Sequence, residues 1–203
     1  MITKLIFRTA IVGAAFCAPL ALAQSSETMN KPLRLVVPFA PGGPVDVVAR
    51  AVGENLSRAM GQPVIVDNKP GANTIIGANA CKAAAPDGQT FCVFLNDTVT
   101  INPSVYTKLP YDPERDFVPV ASLVGIEAAI VVAADLPVSN LKELARYDAA
   151  NPGKVNWGTF GTGSSAHLYL GQVNRAMGAR INHVPYNQGG AAVVTGLMSG
   201  DIQ

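Results

Sequence analysis

The sequence predicts an α/β fold. Short runs rich in valine, leucine and isoleucine alternate along the whole chain with segments that carry apolar residues at helical spacing, and Gly/Pro breaks separate them. No internal repeat or low-complexity tract interrupts this alternation. Apolar residues make up 49% of the 203 residues, which is enough to bury a core and argues against a disordered protein.

In the first half of the chain, strands and helices are closed by turn residues. The helix that begins near Val45 places Val48, Val52 and Leu56 on one face and stops at Gly61. The predicted elements are strands at 33–38, 64–66 and 90–95, helices at 45–60 and 75–85, and a short helical turn from 102.

The second half begins with an apolar, valine-rich segment at 117–134. This pattern predicts two consecutive buried strands, and a crossing between two lobes fits there. Ser139 is the predicted N-cap of the next helix. The following elements are helices at 140–150, 164–177 and 189–198, strands at 155–158 and 181–184, and a turn at 199–200 toward a further strand.

Residues 1–23 resemble an export signal. Lys4 and Arg8 form a basic start, and an apolar run then ends in Ala-Leu-Ala. We expect cleavage after Ala23. A lipid anchor on Cys17 is the alternative, but a bulky phenylalanine precedes this cysteine where lipoprotein signals carry a small residue.

The charge balance gives no reason to expect a nucleic-acid partner. The chain has 15 basic and 14 acidic residues, a formal charge of +1. Without Lys4 and Arg8, 13 basic and 14 acidic residues remain, so the exported chain has a formal charge of −1. It has no basic patch that would attract nucleic acid or an anionic membrane surface.

Two cysteines remain after cleavage, Cys81 in a predicted helix and Cys92 in the following strand. An oxidising compartment would permit a disulfide between them. Because contacts between a helix and a sheet only sometimes bring two Cα atoms within disulfide range, the sequence favours two buried, unpaired thiols.

Two loops that join a strand to a helix through glycines are candidates for anion binding. A ligand oxygen can approach the backbone closely at a glycine, and the start of the following helix offers unpaired N–H groups and the positive end of its dipole. The first glycine loop, residues 39–44, consists of Phe39, Ala40, Pro41, Gly42, Gly43 and Pro44, and Asp46 follows it.

The second glycine loop, residues 160–164, precedes the helix predicted from Ser164. Its hydroxyl groups add neutral hydrogen-bond donors. Together, the two loops can hold a carboxylate from opposite sides without a lysine or arginine. The candidate ligand-binding residues here are Gly161, Thr162, Gly163, Ser164 and Ser165.

Other interpretations of these loops stay open. Both can be ordinary β–α turns with N-caps. The second loop also matches a Gly-x-Gly-x-x-Ala dinucleotide pattern, but the strand at 181–184 supplies no acid for a ribose hydroxyl. A hydrolase would use Ser164 with His167, although no Gly-x-Ser-x-Gly motif is present. No cofactor and no metal site is expected, because no His, Cys, Asp and Glu cluster has ligand spacing.

Many short motifs in register also resemble one known family. The chain is similar from Lys31 onward to the periplasmic receptors of the tripartite tricarboxylate transporter class, also called the Bug family. The matching motifs are Pro-Leu-Arg-Leu-Val-Val-Pro-Phe-Ala-Pro-Gly-Gly at 32–43, Val-Asp-Asn-Lys-Pro-Gly-Ala at 66–72, Ala-Pro-Asp-Gly at 85–88, Ile-Asn-Pro at 101–103, Leu-Pro-Tyr-Asp-Pro at 109–113, Asn-Pro-Gly-Lys at 151–154, Gly-Thr-Gly-Ser at 161–164 and His-Val-Pro-Tyr at 183–186.

The resemblance implies a two-lobed, type II periplasmic-binding fold whose cleft closes on a small organic carboxylate. It implies a first lobe at 24–125 and a partial second lobe at 126–203. The receptor would be a periplasmic monomer that delivers its ligand to membrane permease subunits. Both glycine loops would contact the ligand, with Asp46 orienting the first loop or a substrate group, and with Thr98 lining the cleft.

The sequence departs from the family pattern in three places. Pro44 removes a backbone donor from the first glycine loop. Asp97 puts an acid near the cleft, where it would oppose an anionic ligand. The segments that complete both lobes in relatives do not follow Gln203. A partial sequence or a non-functional truncated receptor is therefore a third hypothesis, beside the receptor and the hydrolase.

Overall fold

The computed structural model describes residues 31–187 and 189–203, and the predicted export signal lies outside them. The described chain forms two separate parallel sheets, each flanked by helices. In chain order the strands are β1 (Leu33–Val37), β2 (Val64–Asn68), β3 (Thr90–Cys92), β4 (Asn156–Thr159) and β5 (Asn182–Pro185). The helices are α1 (Pro44–Met60), α2 (Ile75–Lys82), α3 (Asn102–Val105), α4 (Pro113–Asp116), α5 (Leu141–Ala150), α6 (Ser165–Met177) and α7 (Gly190–Ser199).

The first sheet has the order β2-β1-β3. The central strand β1 pairs in parallel on both sides, in register from Leu33 with Val64 and from Arg34 with Thr90. Its residues Val36 and Val37 are fully buried. A parallel strand buried on both faces needs a continuous apolar run, which explains the sequence pattern of β1.

Helix α1 packs against this sheet and determines the direction in which the first glycine loop points. Its buried face includes Val45 and Ala49, and it ends at Gly61 in a left-handed conformation. At Gly53 the helix backbone lies so close to Val64 that an added Cβ atom would stand only 3.2 Å from that side chain. Because Gly53 has no side chain, α1 can approach the sheet closely.

Cys81 and Cys92 form a disulfide, so the prediction of two unpaired thiols was wrong. Their Cα atoms are 6.2 Å apart, within the range that a disulfide spans. Cys81 lies near the end of α2 and Cys92 is the last residue of β3, the edge strand of the first sheet. Helix α2 packs against β3, and this contact brings the two cysteines together.

After β3 the chain enters one continuous helical segment. A π-helical turn over Asp97–Ile101 runs directly into α3. The side chain of Asn102 is fully buried and donates to the carbonyl oxygen of Asn73 and to the hydroxyl of Tyr111. These bonds fix the segment that carries Asp97.

The second sheet pairs β4 with β5 in parallel, from Asn156 with Asn182 to Thr159 with Pro185. Helices α6 and α7 pack against β4, and α5 packs against α6. The buried core of this part of the chain consists of Leu144, Ala145, Val155, Leu170, Val173, Ala179 and Ile181.

The strands predicted between 117 and 134 are not present, and this prediction was wrong. Residues 118–130 are exposed and form no strand, with Val118 exposed by 87%. An apolar run indicates burial, but a strand also needs a partner backbone. Among the described residues, the segment gains one such backbone bond near its end, from the N–H of Ala133 to the carbonyl of Gln203.

Other differences from the predicted elements are small. The N-cap of α5 is Asn140, whose side chain accepts from the N–H of Glu143, and not Ser139. The Glu143 carboxylate in turn accepts from the N–H of Ser139, the residue before the N-cap, and from the Asn140 side chain, so the start of α5 is held reciprocally. The residues after the turn at 200 lie alongside β4, with the N–H of Gln203 donating to Asn156, but they form no assigned strand.

None of the helices in the described ranges combines the length and the apolar composition that crossing a membrane requires.

Candidate functional site

The first glycine loop lies at the carboxyl end of β1 and is held by Asp46. The Asp46 side chain is 2% exposed, and its Oδ2 atom accepts from the N–H of Gly42 at 2.9 Å. Arg50 donates to both carboxylate oxygens, at 2.9 and 3.0 Å. Asn68 donates to Asp46 Oδ1 at 2.9 Å and also to the carbonyl of Phe39. Asp46 therefore orients this loop.

These contacts hold the pKa of Asp46 well below its usual range, at about 2. The hydrogen bond from Arg50 is the largest cause, and burial opposes it. The carboxylate is ionised at neutral pH and its oxygens are occupied within the chain. Two roles were predicted for Asp46, orienting the first loop or orienting a substrate group. The structure supports the first of these.

The same geometry decides which amides of the first glycine loop remain for a ligand. The N–H of Gly42 is used by Asp46, and Pro44 has none. Gly43 is the N-cap of α1, so Val45 lies in the first turn, where helical N–H groups have no intrahelical acceptor. Gly43 itself is half-buried and extended, with φ of −79°. The N–H groups that remain for a ligand are therefore those at the start of α1, and not every amide of the loop.

The second glycine loop lies at the carboxyl end of β4 and is closed by internal hydrogen bonds. The fully buried Ser164 donates through Oγ to the carbonyl of Gly161 at 2.7 Å and caps α6 by accepting from the N–H of His167. Nδ1 of His167 accepts from the N–H of Gly163 at 3.1 Å. The N–H of Gly161 donates to Thr159 Oγ1 at 3.2 Å.

This arrangement does not form the predicted hydrolase dyad. The Ser164 hydroxyl bonds to two backbone groups, and the ring nitrogen Nδ1 of His167 bonds to a third. The His167 ring instead stacks on His183, with ring centroids 4.0 Å apart. Burial, followed by the neighbouring His167, lowers the pKa of His183. Both histidines thus belong to the support of the loop.

An acidic residue from the first sheet's side of the molecule occupies the start of α6. Oδ2 of Asp97 accepts from the N–H of Ser165 at 3.1 Å and from its Oγ at 3.4 Å. Asp97 is 7% exposed. A helix N-terminus is a favourable place for a carboxylate, so this contact is stabilising. It also fills the position where the sequence predicts a ligand carboxylate.

A second contact joins the same two parts of the chain. The hydroxyl of Tyr106 donates to the carbonyl of Thr162 at 2.8 Å. An added Cβ atom at Gly163 would lie 2.9 Å from the same hydroxyl, which explains why a glycine is needed there. Burial raises the pKa of Tyr106.

The turn between β5 and α7 also approaches both glycine loops. A Cβ atom at Gly189 would lie 3.9 Å from Cβ of Ala40 in the first loop. A Cβ atom at Gly161 in the second loop would lie 2.9 Å from Oδ1 of Asn187. The turn therefore lies beside both loops.

Thr98 does not line a cleft in this structure. Its side chain is fully buried and Oγ1 donates to the hydroxyl of Thr74 at 2.9 Å. Its carbonyl accepts from Tyr111 at 2.7 Å. The residue supports the helical turn that positions Asp97.

Sequence reasoning missed Tyr106 and the turn at Gly189 as members of this site, and it placed Asp97 near the cleft without its contact with the start of α6. The acid at 97 was visible as a departure from the family pattern, but nothing in the sequence places it 3.1 Å from an amide 68 residues away. Tyr106 lies in a motif of the family resemblance, and its contact with Thr162 joins residues 56 apart in sequence.

A comparison with known protein families shows which family this chain matches. The tripartite tricarboxylate transporter family receptor matches residues 48–203. The chain belongs to this family. The matched residues include the second glycine loop and begin after the first.

Curated relatives agree over almost the whole chain. A UPF0065 protein from the gbd 5' region of Cupriavidus necator is 34% identical over 194 residues, which are 96% of this chain and 58% of the relative. The protein BugT of Bordetella pertussis is 33% identical over 95% of this chain and 60% of its own length. A third relative, a UPF0065 protein of B. pertussis, is 38% identical over 77% of this chain. The present chain spans 48 to 60% of the length of these three relatives.

Solved structures confirm the two-lobed α/β fold of periplasmic binding proteins. MatC from Rhodopseudomonas palustris with bound malate matches with a TM-score of 0.76 and 31% identity, over 84% of this chain and 58% of that one. A second R. palustris protein, solved with adipate, matches with a TM-score of 0.73 and 31% identity over 84% of this chain and 57% of that one. The periplasmic binding protein BugD matches with a TM-score of 0.70 and 32% identity, over 84% of this chain and 56% of its own.

Proposed function

We propose that this chain is a periplasmic receptor that binds a small organic carboxylate and delivers it to the permease subunits of a tripartite transporter. The observation that carries the proposal is that two glycine loops, one at each parallel sheet, each end at a helix N-terminus, and that side chains from the first sheet's side reach the second loop. Such a site stabilises negative charge with backbone dipoles instead of cations.

The ligand class follows from the relatives. MatC is solved with malate and a second relative with adipate, both small dicarboxylates. The match to each of these proteins covers 84% of the present chain. By this comparison its ligand also carries at least one carboxylate.

The residues assigned to the ligand are those of the two loops. Gly43 and the first turn of α1 supply amides, and Asp46 fixes the loop from behind. Bound water would bridge the remaining distance and accommodate ligands of different length. The proposed ligand-contacting set is Phe39, Ala40, Pro41, Gly42, Gly43, Gly161, Thr162, Gly163 and Ser165. Ser164 is fully buried and its hydroxyl bonds within the loop and α6, so it supports the second loop instead.

The lobe boundary at 125/126 is part of the proposal. It falls within the exposed segment 118–130, between the first sheet and the second. Export by the signal at 1–23 and a monomeric state complete the assignment, and sedimentation of the purified chain tests the latter.

Binding without turnover is the decisive property. The purified full-length chain is mixed with a panel of mono-, di- and tricarboxylates, esters and amino acids, and the melting temperature and the ligand concentration are both followed. We expect at least one acid to raise the melting temperature while its concentration stays constant. Ester cleavage that disappears in Ser164→Ala would support the hydrolase instead, and no shift with any compound would contradict the receptor.

Gly43→Ala tests the loop directly. An added Cβ atom would lie 3.6 Å from the carbonyl of Ala40, an ordinary contact, and the φ of −79° suits alanine. The fold should therefore tolerate the change, while the methyl group blocks a ligand oxygen from the amide. Gly171→Ala, at an open position on α6, is the matched control. We expect ligand-induced stabilisation to fall only in Gly43→Ala.

A further inference from the structure

Asp97 differs from an ordinary helix cap because it comes from another part of the fold. It starts the π-helical turn after β3, whereas the amide that it accepts from starts α6. With 7% of its surface exposed, the carboxylate lies between the two parts of the molecule that carry the glycine loops. Its position is fixed by the buried network of Asn102, Tyr111 and Thr98.

The charge of Asp97 has no cationic partner in the described part of the chain. Its bonds there come from the N–H and the hydroxyl of Ser165. Residues 31–187 and 189–203 place no Lys or Arg nitrogen within 4.0 Å of it. Asp46, in contrast, is paired with Arg50. A buried carboxylate without a counter-ion favours an approaching cation and disfavours another anion.

The second glycine loop has little capacity left for a ligand carboxylate. The N–H of Gly163 is used by His167, the N–H of Gly161 by Thr159 and the N–H of Ser165 by Asp97. The hydroxyl of Ser164 donates to Gly161. Asp97 thus supplies, from within the chain, the anion that the loop and the start of α6 are built to hold.

We propose that Asp97 is a specificity-determining residue that replaces one carboxylate of the ligand, so that the receptor takes a compound with one carboxylate and, at its other end, an ammonium group. This inference rests on the proposed function. The single carboxylate binds at the first turn of α1, and the ammonium group faces Asp97. A second carboxylate would meet the charge of Asp97, whose 7% exposure leaves it little screened by water, so that the like charges repel strongly.

Matched pairs of acids test the proposal. Adipate and 5-aminopentanoate differ only in that a carboxylate is replaced by an ammonium group, and succinate and β-alanine form a second such pair. Titration calorimetry on the purified full-length chain gives the affinity for each compound. We expect each amino acid to bind more tightly than its dicarboxylate by about tenfold or more, as expected for a buried charge contact.

Asp97→Asn separates charge from structure. The amide oxygen of asparagine can still accept from the N–H of Ser165, so α6 keeps its cap. We expect the preference for the amino acid to fall by about tenfold or more in this variant, through weaker amino-acid binding and tighter dicarboxylate binding. Asp97→Ser gives the same comparison should the asparagine variant melt before the titration temperature.

Asp87→Asn is the control for the loss of one negative charge. Asp87 lies in the turn before β3, at the opposite end of the parallel sheet from the glycine loops. The preference of the Asp87→Asn variant for the amino acid over the dicarboxylate should match that of the unchanged chain. The proposal would be overturned if the unchanged chain bound the dicarboxylates more tightly. It would also be overturned if the preference for the amino acid persisted in Asp97→Asn and Asp97→Ser. Either result would leave the receptor function standing. If no carboxylate of either pair or of the wider panel binds, the receptor function fails, and this inference fails with it.

Discussion

The two glycine loops have the same position in their sheets, but they are held in different ways. The first loop is fixed by residues close to it in sequence and by the neighbouring strand, through Asp46, Arg50 and Asn68. The second loop is closed by its own local hydrogen bonds, and in addition Asp97 and Tyr106 reach it from the other side of the molecule. One buried acid therefore has a cation beside it, and the other has neutral donors only.

This difference separates two tasks. The bonds that hold the first loop all come from its own side of the molecule, so they do not depend on the second sheet. The second loop has further bonds from the other side, and these would break if the two halves moved apart. The first loop is thus suited to fixed recognition of a carboxylate, and the second to a site that forms when the halves come together.

The largest effect is expected at Asp46. Asp46→Ala removes the acceptor for Gly42, Asn68 and Arg50. Because the Arg50 side chain is 55% exposed, water can solvate its charge and so reduce the loss of stability. We expect a loss of about 2–3 kcal/mol in the free energy of unfolding, measured in urea. Glu54→Ala is the control on the same helix, since its 3.9 Å pair with Arg58 is exposed and should contribute less than about 0.5 kcal/mol. Equal losses of stability in Asp46→Ala and Glu54→Ala would contradict the conclusion that Asp46 holds the first loop.

Glycine replacements compare the two loops directly. Gly42 and Gly163 both have positive φ, of 81° and 84°, so alanine costs about 1–2 kcal/mol at either position. At Gly42 the added methyl group meets nothing within 4 Å, whereas at Gly163 it lies 2.9 Å from the Tyr106 hydroxyl. We expect Gly163→Ala to be the more destabilising by about 1 kcal/mol or more.

The Gly163→Ala variant has a built-in check. Truncating its neighbour in the double variant Gly163→Ala/Tyr106→Ala removes the clash, so thermal melting should show less than additive losses. Strict additivity would mean that Tyr106 does not press on this loop.

Tyr106→Phe removes only the hydroxyl that donates to Thr162. We expect a loss of about 1 kcal/mol and faster amide hydrogen exchange in residues 161–165, with exchange at 39–43 unchanged. Tyr169→Phe, at an exposed position on α6, serves as the control. Uniformly faster exchange in both loops would show that they are not held independently.

Acid should loosen the two loops in different pH ranges, and this is the smallest effect expected. A pKa lowered in the folded state gives stability that is present above the unfolded value and is lost as the pH falls through the folded value. His183, with its lowered pKa, begins to lose its contribution below about pH 6.5. Asp46 loses its own only between about pH 4 and its pKa of about 2.

Hydrogen exchange at several pH values would separate these ranges. Between pH 7.5 and 5.5, the second loop should become less protected while the first does not change. In His183→Gln, which does not titrate there, this loss of protection should vanish. Persistence of the loss in the variant would assign the effect to another group.

Much of the fold could be predicted because its signals are local. The apolar run of β1 and the helical spacing of α1 lead directly to the observed elements, and Gly61 ends α1 as expected. The first glycine loop was also predictable, since strand, loop and helix are consecutive and Asp46 lies within one turn of the loop that it holds.

Where the prediction failed, the missing information was a distant partner. Residues 117–134 have the composition of buried strands, but composition does not supply a backbone to pair with. Cys81 and Cys92 could be seen to be compatible with a disulfide, yet the 6.2 Å between their Cα atoms depends on how α2 packs against β3.

The amino-acid sequence by itself determined the alternation of strands and helices, the two glycine loops and the absence of cations within them, because each depends on residues a few positions apart. Only the tertiary structure decided which amides remain available. Asp46 uses one in the first loop, and Asp97 uses one at the start of α6 from 68 residues away. A hydrogen bond depends on distances in space, and for residues far apart in the chain those distances are set by packing.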